Sequence, residues 1–436
     1  MKPKTAIVLL PVFWPNLPPI SLASLKGFLK KNNVDVDIFD YNNYFFNKFP
    51  ENLIKQWQIS SNKSFEESFL DLLKNDHQKD IDLMIEKLLS YDIVGFSCYK
   101  SNFSTVKEIS KLLKTKKPGI KIVLGGPEIA AQYFKLKENI VNELSGFADL
   151  IVVGQGELPL LELIAGKNND EKLVLFRELN NTEDFTVPDY SDIDFNSYPK
   201  KNTAQLLSSI GCIRRCNFCS ERLLYKRYKA YPAKKVISHI KSLKDSGIQC
   251  FVFNDSLING DLKAFEELLD AIIDNFGSIP WEAQIAVRTD MTDAIFDKMK
   301  KSGCYNLFVG LESGSDNTLK KMNKGFSSKD ALEFFKKLDS FKLKFGVSMI
   351  VGFPGEEIKD FKESLEFLIR NKNIIKKIEQ VNPYVYYEGT NVDSQTGYKH
   401  NKELIDKTAL FMETIQKEGF KYTKAYINNL VEPEWK

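Results

Sequence analysis

Histidine is nearly absent: the chain has three in 436 residues, His77, His239 and His400. A site built on imidazole ligands or a histidine base therefore has little to draw on. Excess charge of either sign is also lacking, with 61 lysines and arginines against 58 aspartates and glutamates. That balance gives no electrostatic footprint for nucleic acid, so none is expected as a partner. No apolar run approaches the roughly 20 residues of a membrane span, and Pro11 interrupts the opening run from Ala6 to Trp14, unlike a signal peptide. Low-complexity repeats are missing. No G-x-G-x-x-G follows the first apolar run, which argues against a dinucleotide-binding domain. Of six cysteines, Cys98, Cys250 and Cys304 lie at or beside apolar runs and read as buried free thiols. Together these features place the chain in a reducing, cytoplasmic setting.

The other three cysteines are concentrated. The string Gly211-Cys-Ile-Arg-Arg-Cys-Asn-Phe-Cys-Ser220 puts Cys212, Cys216 and Cys219 in one loop at C-x3-C-x2-C spacing. Thiolates hold iron–sulfur clusters, usually four to a cluster, so three leave one iron open to a substrate or cofactor. Structural zinc is the alternative. It wants four closed ligands, and the next candidates, His239 and Cys250, have no paired partner near them. A cluster is the better reading, with zinc behind it.

Hydrophobic patterning divides the chain. At the front, apolar runs at Thr5–Leu10, Val34–Phe39, Ile93–Phe96, Ile120–Leu124 and Leu150–Val153 alternate with helical patterns at Ile20–Lys31 and Phe103–Thr115. This is a doubly wound α/β domain over residues 1–167, whose ligand belongs at the carboxyl edge of the sheet. Asn42–Ser90 is charged and helical in flavour, an insertion covering one side. Residues 168–201, rich in Asn, Asp and Pro, read as a linker. From 202 to 390 the alternation resumes. Strands are predicted at Cys250–Phe253, Trp281–Val287, Tyr305–Val309, Lys344–Val351 and Ile378–Tyr386. Helices are predicted between them, among them Leu262–Phe276 and Glu357–Arg370. Such alternation gives a parallel sheet covered by helices, with its chemistry at the strands' carboxyl ends. Residues 391–436 form a helical extension, with one helix over Asn401–Gly419. Tyr384, Tyr386 and Tyr387 end the last strand, where pocket lining and packing are equally good readings.

The cysteine loop closely resembles that of the radical S-adenosylmethionine (SAM) superfamily. The resemblance implies a partial (βα)6 barrel and a 4Fe–4S cluster on Cys212, Cys216 and Cys219, whose open iron chelates SAM. It also implies that Phe218 lies against the adenine. Gly310-Leu-Glu-Ser-Gly314 is similar to the G-x-E-S-G segment whose acid, here Glu312, reaches the ribose. Gly346-Val-Ser-Met-Ile-Val-Gly-Phe-Pro-Gly-Glu356 resembles the segment whose backbone, including Gly352, runs along the adenine. Asn254 and Asp255, after the second strand, stand where the family places groups near the methionine moiety, and Arg288, a further candidate cofactor contact, ends the third. Taken singly, a surface acid, a turn or a simple ion pair explains each of them; in order behind the cysteine loop they agree.

The front domain resembles the cobalamin-binding fold that precedes the barrel in one radical SAM subfamily, the cobalamin-dependent methyltransferases. The matching segments are Pro18-Pro-Ile-Ser-Leu-Ala23, Gly95-Phe-Ser97, Gly125-Gly-Pro-Glu128 and Gly154-Gln-Gly-Glu157. Ser97, Gly125, Gly126, Gly154 and Glu157 would line the nucleotide tail, though α/β turns use such glycines without a ligand. One departure is plain. The family's Asp-x-His-x-x-Gly loop is here Pro11-Val-Phe-Trp-Pro-Asn16, with no histidine to reach the cobalt. The resemblance implies reductive SAM cleavage, hydrogen abstraction from an unactivated carbon, and methyl transfer through cobalamin. An electron donor such as flavodoxin or ferredoxin and a small-molecule or peptide substrate follow from it. A dehydratase, cyclase or rearrangement enzyme without methyl transfer is the alternative, and a non-catalytic redox sensor ranks lower. A methylthiotransferase brings three further cysteines in its front domain, where this chain has only Cys98.

Overall fold

Runs such as Thr5-Ala-Ile-Val-Leu9 and Leu150-Ile-Val-Val153 have no polar face and are buried throughout, as strands of a helix-covered parallel sheet must be. The computed structural model describes residues 2–50, 57, 73–74, 76–167, 170–179, 185–392 and 402–422. The chain forms two units, residues 1–205 and 206–436.

In the first unit, β1 (Thr5–Leu9), β2 (Asp37–Asp40), β3 (Ile93–Ser97), β4 (Lys121–Gly125), β5 (Leu150–Val153) and β6 (Leu173–Leu175) form one parallel sheet. Its order is β2-β1-β3-β4-β5-β6, so the direction of winding reverses between β1 and β3. A doubly wound sheet opens its binding crevice at that reversal, outside the carboxyl ends. Ile7, Leu9, Val36, Ile38, Val123 and Val152 pack with Leu22, Phe28 and Leu29 of helix Ile20–Lys31 and with Leu160 and Leu163 of helix Glu157–Ile164.

The expected linker is part of this unit. β6 lies inside it, too short for an alternating pattern to announce. Beyond β6, the Asp189 amide donates to Ala23 O at 2.8 Å, and Lys26 pairs with Asp192 at 2.5 Å. Tyr198 donates to Asp40 Oδ2 at 2.6 Å. A Cβ on Gly27 would stand 2.2 Å from Val187 O, so glycine is what lets this segment lie against the first helix. The polar residues that suggested a free connection are the ones that fasten it. Residues 51–56, 58–72 and 75 of the expected 42–90 insertion lie outside the described residues; its helix Gln78–Leu89 buries Ile81, Met84, Ile85 and Leu88. His77, ahead of that helix, does not face solvent freely: its ring packs against Phe45 and Phe49, and Nδ1 lies 3.4 Å from Asp80.

The second sheet comprises β7 (Thr203–Leu206), β10 (Cys250–Phe253), β11 (Trp281–Ile285), β12 (Cys304–Glu312), β13 (Phe345–Val351), β14 (Lys377–Pro383) and a two-residue β15 (Lys421–Tyr422); all but the first three residues of β7 belong to the second unit. A small antiparallel hairpin, β8 (Ser209–Ile210) and β9 (Lys229–Ala230), stands apart. The sheet order is β15-β14-β13-β12-β11-β10-β7, open at both edges: a partial (βα)6 barrel with one short strand added. Helices start where their caps dictate. Asp261 accepts from the Ala264 amide at 3.1 Å, and Ser327–Asp330 and Glu357–Asp360 form reciprocal capping boxes. Helix Lys402–Lys417 packs on β13, β14 and helix Ile358–Arg370. The chain after residue 422 lies outside the described residues. No helix among the described residues is long and apolar enough to cross a membrane.

Candidate functional site

The cysteine loop leaves β8 through Gly211, whose φ is +72° and where a Cβ would stand 2.5 Å from Arg227 O, so no side chain is admitted. Distant segments then hold the loop. The Asn217 amide donates to Met322 O at 2.9 Å and its side chain to Lys321 O at 2.8 Å; the Asn323 side chain returns a bond to Arg215 O at 2.8 Å. Arg214 donates to Val287 O and to Gly325 O, and its own amide to Cys212 Sγ at 3.3 Å. Cys212, Cys216 and Cys219 are all free thiols. Burial pushes all three up, Cys219 to about 11, while the Lys324 ammonium pulls Cys212 and Cys216 back down. Among the described residues no three His, Cys, Asp or Glu side chains converge on a single ion.

Beside the loop, β12 ends in a register shift against β13, between Gly310 and Glu312. Glu312 itself sits at φ +72°, a left-handed conformation that a non-glycine residue holds at a cost and that gathers at functional sites. Its carboxylate is buried, 3.5 Å from the equally buried Lys324 ammonium, and accepts from the Ser348 hydroxyl at 3.1 Å. Gln380 supports that serine at 3.1 Å. Lys324 also lies 5.8 Å from the ring of Phe218 and 5.5 Å from that of Phe326, a cation–π placement that keeps it close to the cysteine loop. Phe218 meets Phe353 edge-on at 6.2 Å, so the residue before the last cysteine touches the Gly352-Phe-Pro-Gly355 loop after β13.

The ends of β12 and β13 are braced as one. Asp360 accepts from Ser315 at 2.6 Å and from Asn317 at 3.0 Å; Ser364 meets Ser313 at 2.9 Å and accepts from the Gly314 amide at 3.1 Å. A Cβ on Gly314 would stand 2.6 Å from that of Phe367, which explains the glycine in Glu312-Ser-Gly314 without any ligand. Gly352, at φ +75°, donates its amide to Glu356 at 2.8 Å.

Asp255 and Arg288, expected near the methionine end of SAM and at the end of the third strand, are each held by protein partners. Asp255 is buried and accepts from the Ser208 amide and hydroxyl and from the Ser209 hydroxyl; burial still lifts its carboxyl to about 6. Arg288 spends its donors on Asp290, Asn259 O and Gly260 O. Asn254 is exposed, and its amide donates to Leu206 O at 2.8 Å. Lys324, Arg214, Ser348 and Gln380 were not singled out from sequence. Only their fold neighbours reveal them, since each acts on a residue at least 12 positions away, or on thiols flanking it.

In the first unit Ser97, Gly125, Gly126 and Gly154 end β3, β4 and β5 on the carboxyl edge, and Glu157 opens the helix after β5. Gly126 has φ +107°, and a Cβ there would lie 2.7 Å from Cys98 O, so the turn itself requires it. Gly154, at φ +102°, packs on Phe176. Gly125 differs: a Cβ would make only ordinary contacts with Val152 at 3.8 Å. The fold has no need of a glycine there, and a ligand running along bare backbone would. Burial raises the Glu157 carboxyl. The loop after β1 is held by distant segments, with the Phe13 ring tilted against Tyr99 at 4.0 Å and its carbonyl accepting from Trp57 Nε1.

Residues 206–368 match the Radical SAM superfamily, and residues 58–164 the B12 binding domain. The chain carries a radical SAM domain and, ahead of it, a B12-binding domain. An uncharacterized methyltransferase of Pyrococcus horikoshii is 25% identical over 66% of both chains. A threonylcarbamoyladenosine tRNA methylthiotransferase of Chlamydia pneumoniae is 27% identical over 46% of this chain and 48% of its own. The chain thus spans about half to just under two thirds of these curated relatives. Two solved structures share its fold. The cobalamin-dependent SAM radical enzyme OxsB, with aqua-cobalamin and SAM bound, has a TM-score of 0.67 at 17% identity, covering 99% of this chain and 58% of OxsB. The radical SAM methyltransferase TsrM of Kitasatospora setae, with cobalamin and a 4Fe–4S cluster, has a TM-score of 0.67 at 15% identity, covering 90% of this chain and 77% of TsrM.

Proposed function

We propose that this protein is a cobalamin-dependent C-methyltransferase that takes hydrogen from an unactivated carbon of a small-molecule or peptide substrate. The observation that carries the reading is the union, in one chain, of a B12-binding domain and a barrel headed by three free thiols. Cys212, Cys216 and Cys219 would hold a 4Fe–4S cluster; Glu312, Phe218 and the backbone at Gly352 would receive SAM; and Ser97, Gly125 and Gly126 would flank a cobalamin tail. When bound, these groups supply the electron for SAM cleavage and a carrier for the methyl group. The protein's own part is positional. Asn217 and Arg214 fix the thiols against the loop at 321–325. Glu312, held by Lys324 and Ser348, is aimed at hydroxyl groups with its charge already compensated. Phe218, Phe353 and Tyr384 make the adjoining wall apolar and exclude water. Flavodoxin or ferredoxin is the expected donor class.

The methylthiotransferase relatives do not redirect this reading, because Cys98 is the only cysteine ahead of the barrel loop, and it is buried. The likeness to OxsB, a cobalamin-dependent SAM radical enzyme, supports a second reading: radical chemistry with cobalamin but without methylation. Anaerobic reconstitution tests both. About four irons, four sulfides and one corrin per chain are expected, with 5′-deoxyadenosine formed under reduction. S-adenosylhomocysteine as a co-product marks methyl transfer; its absence during turnover selects the second reading. Zinc in place of iron would end both.

A further inference from the structure

Glu356 follows directly on the Gly352–Gly355 loop, and its carboxylate is almost fully buried, with 2% of the side chain exposed. Oε2 has two donors. One is the Gly352 amide at 2.8 Å; the other is the Lys407 ammonium at 2.6 Å, from helix Lys402–Lys417. Lys407 is itself largely buried and lies 5.3 Å from the ring of Phe361. The loop is anchored again at its far end, where Lys321 donates to Gly355 O and the Glu356 amide closes on Phe353 O at 2.8 Å. A buried carboxylate needs its charge met, and only the C-terminal helix brings the cation that Glu356 is bonded to. Without it, Glu356 has reason to swing toward water and release the Gly352 amide.

We propose that Lys407 is a positioning residue for SAM: it holds Glu356, which holds the Gly352 backbone in the conformation that receives the adenine. The C-terminal helix is then a working part of the nucleotide site. This rests on the reading above that residues 352–355 line SAM.

The test uses the full chain, reconstituted anaerobically, with SAM itself as the probe. Lys407→Met should weaken SAM binding about tenfold, the scale of one hydrogen bond to a charged group, and raise KM for SAM more than it lowers kcat. Cluster iron, sulfide and absorbance should stay at wild-type values. Hydrogen exchange over residues 350–357 without SAM should accelerate, and Lys407→Arg should restore both binding and protection. Unchanged affinity together with unchanged exchange overturns the proposal. If Lys407→Met does not fold, the double variant Glu356→Gln/Lys407→Met removes both charges at once and reads the same two quantities. Wild-type affinity in that variant also overturns it. Should the unaltered protein bind no SAM, the functional reading fails instead, and the exchange measurement still decides whether Lys407 sets the loop.

Discussion

Replacing Glu312 by glutamine removes one charge and almost no volume, which isolates the electrostatics of the strand end. The carboxylate lies 3.5 Å from Lys324, with both groups buried. At an effective dielectric of about 20 the attraction lost is roughly 5 kcal/mol. Much of that is offset, because the parent bears the desolvation cost of a buried carboxylate that glutamine avoids, and the glutamine carbonyl still accepts a hydrogen bond. A net destabilisation of about 2 kcal/mol is expected, and a domain of this size converts that into a fall of roughly 4–8 °C in melting temperature. If Glu312 receives the SAM ribose as proposed, the same variant weakens charge-assisted bonds to it, and the Kd for SAM should rise about 10- to 100-fold while the iron–sulfur chromophore persists. Calorimetry and a direct SAM titration read these separately, and a double-mutant cycle with Lys324→Met reports the coupling. An unshifted melt with no coupling to Lys324 would refute the buried pair; an unchanged Kd would remove Glu312 from the SAM site.

Alanine at all three of Cys212, Cys216 and Cys219 should abolish the cluster and 5′-deoxyadenosine formation; deoxyadenosine from that variant would sink the central reading. Gly126→Ala should destabilise the first unit by roughly 1–3 kcal/mol through its positive φ and its clash with Cys98. Gly125→Ala should melt like the parent but bind corrin more weakly, and equal corrin affinity would dissociate that glycine from the ligand. Asp255 and Asp40 are each lifted by burial to about 6. Their folded states bind protons more readily than their unfolded ones, so stability should rise as pH falls from about 7 through 6 toward 4, by up to about 3 kcal/mol each. Asp255→Asn should flatten its share of that slope in denaturant titrations; a slope identical to the parent's would contradict the assignment. Cobalt(II) in the bound corrin should show no axial nitrogen hyperfine splitting, since the loop Pro11–Asn16 carries no imidazole; such splitting would point to a histidine from elsewhere.

Elements longer than about four residues were legible where pattern and cap agreed. Leu262–Phe276 announces itself by Asp261 and a Gly277 stop, and Leu150–Val153 by four consecutive branched or aliphatic residues. The cysteine loop was legible because its spacing is chemistry in itself. β6 and the docking of residues 185–198 were not, since three residues carry no period and an Asp that pairs with Lys26 looks like any loop Asp. The partners of Glu312 were hidden for the same kind of reason. Lys324 is a lysine among sixty-one basic residues until the turn after Met322 folds it beneath the strand end. Asp255 and Arg288 sit at strand ends as anticipated, yet position could not reveal that neighbouring serines and carbonyls satisfy them.

The brace between Ser313–Asn317 and Asp360–Ser364 has a bearing on how this barrel can vary. Ser315 and Asn317 share one carboxylate, and Gly314 is shaped to Phe367, so neither loop presents an independent surface to selection. Substitutions on the two sides should therefore be epistatic, each neutral or harmful according to what stands opposite. Grafting the 312–317 loop of a relative into this chain should fail alone and succeed when the first two turns of helix Ile358–Arg370 travel with it.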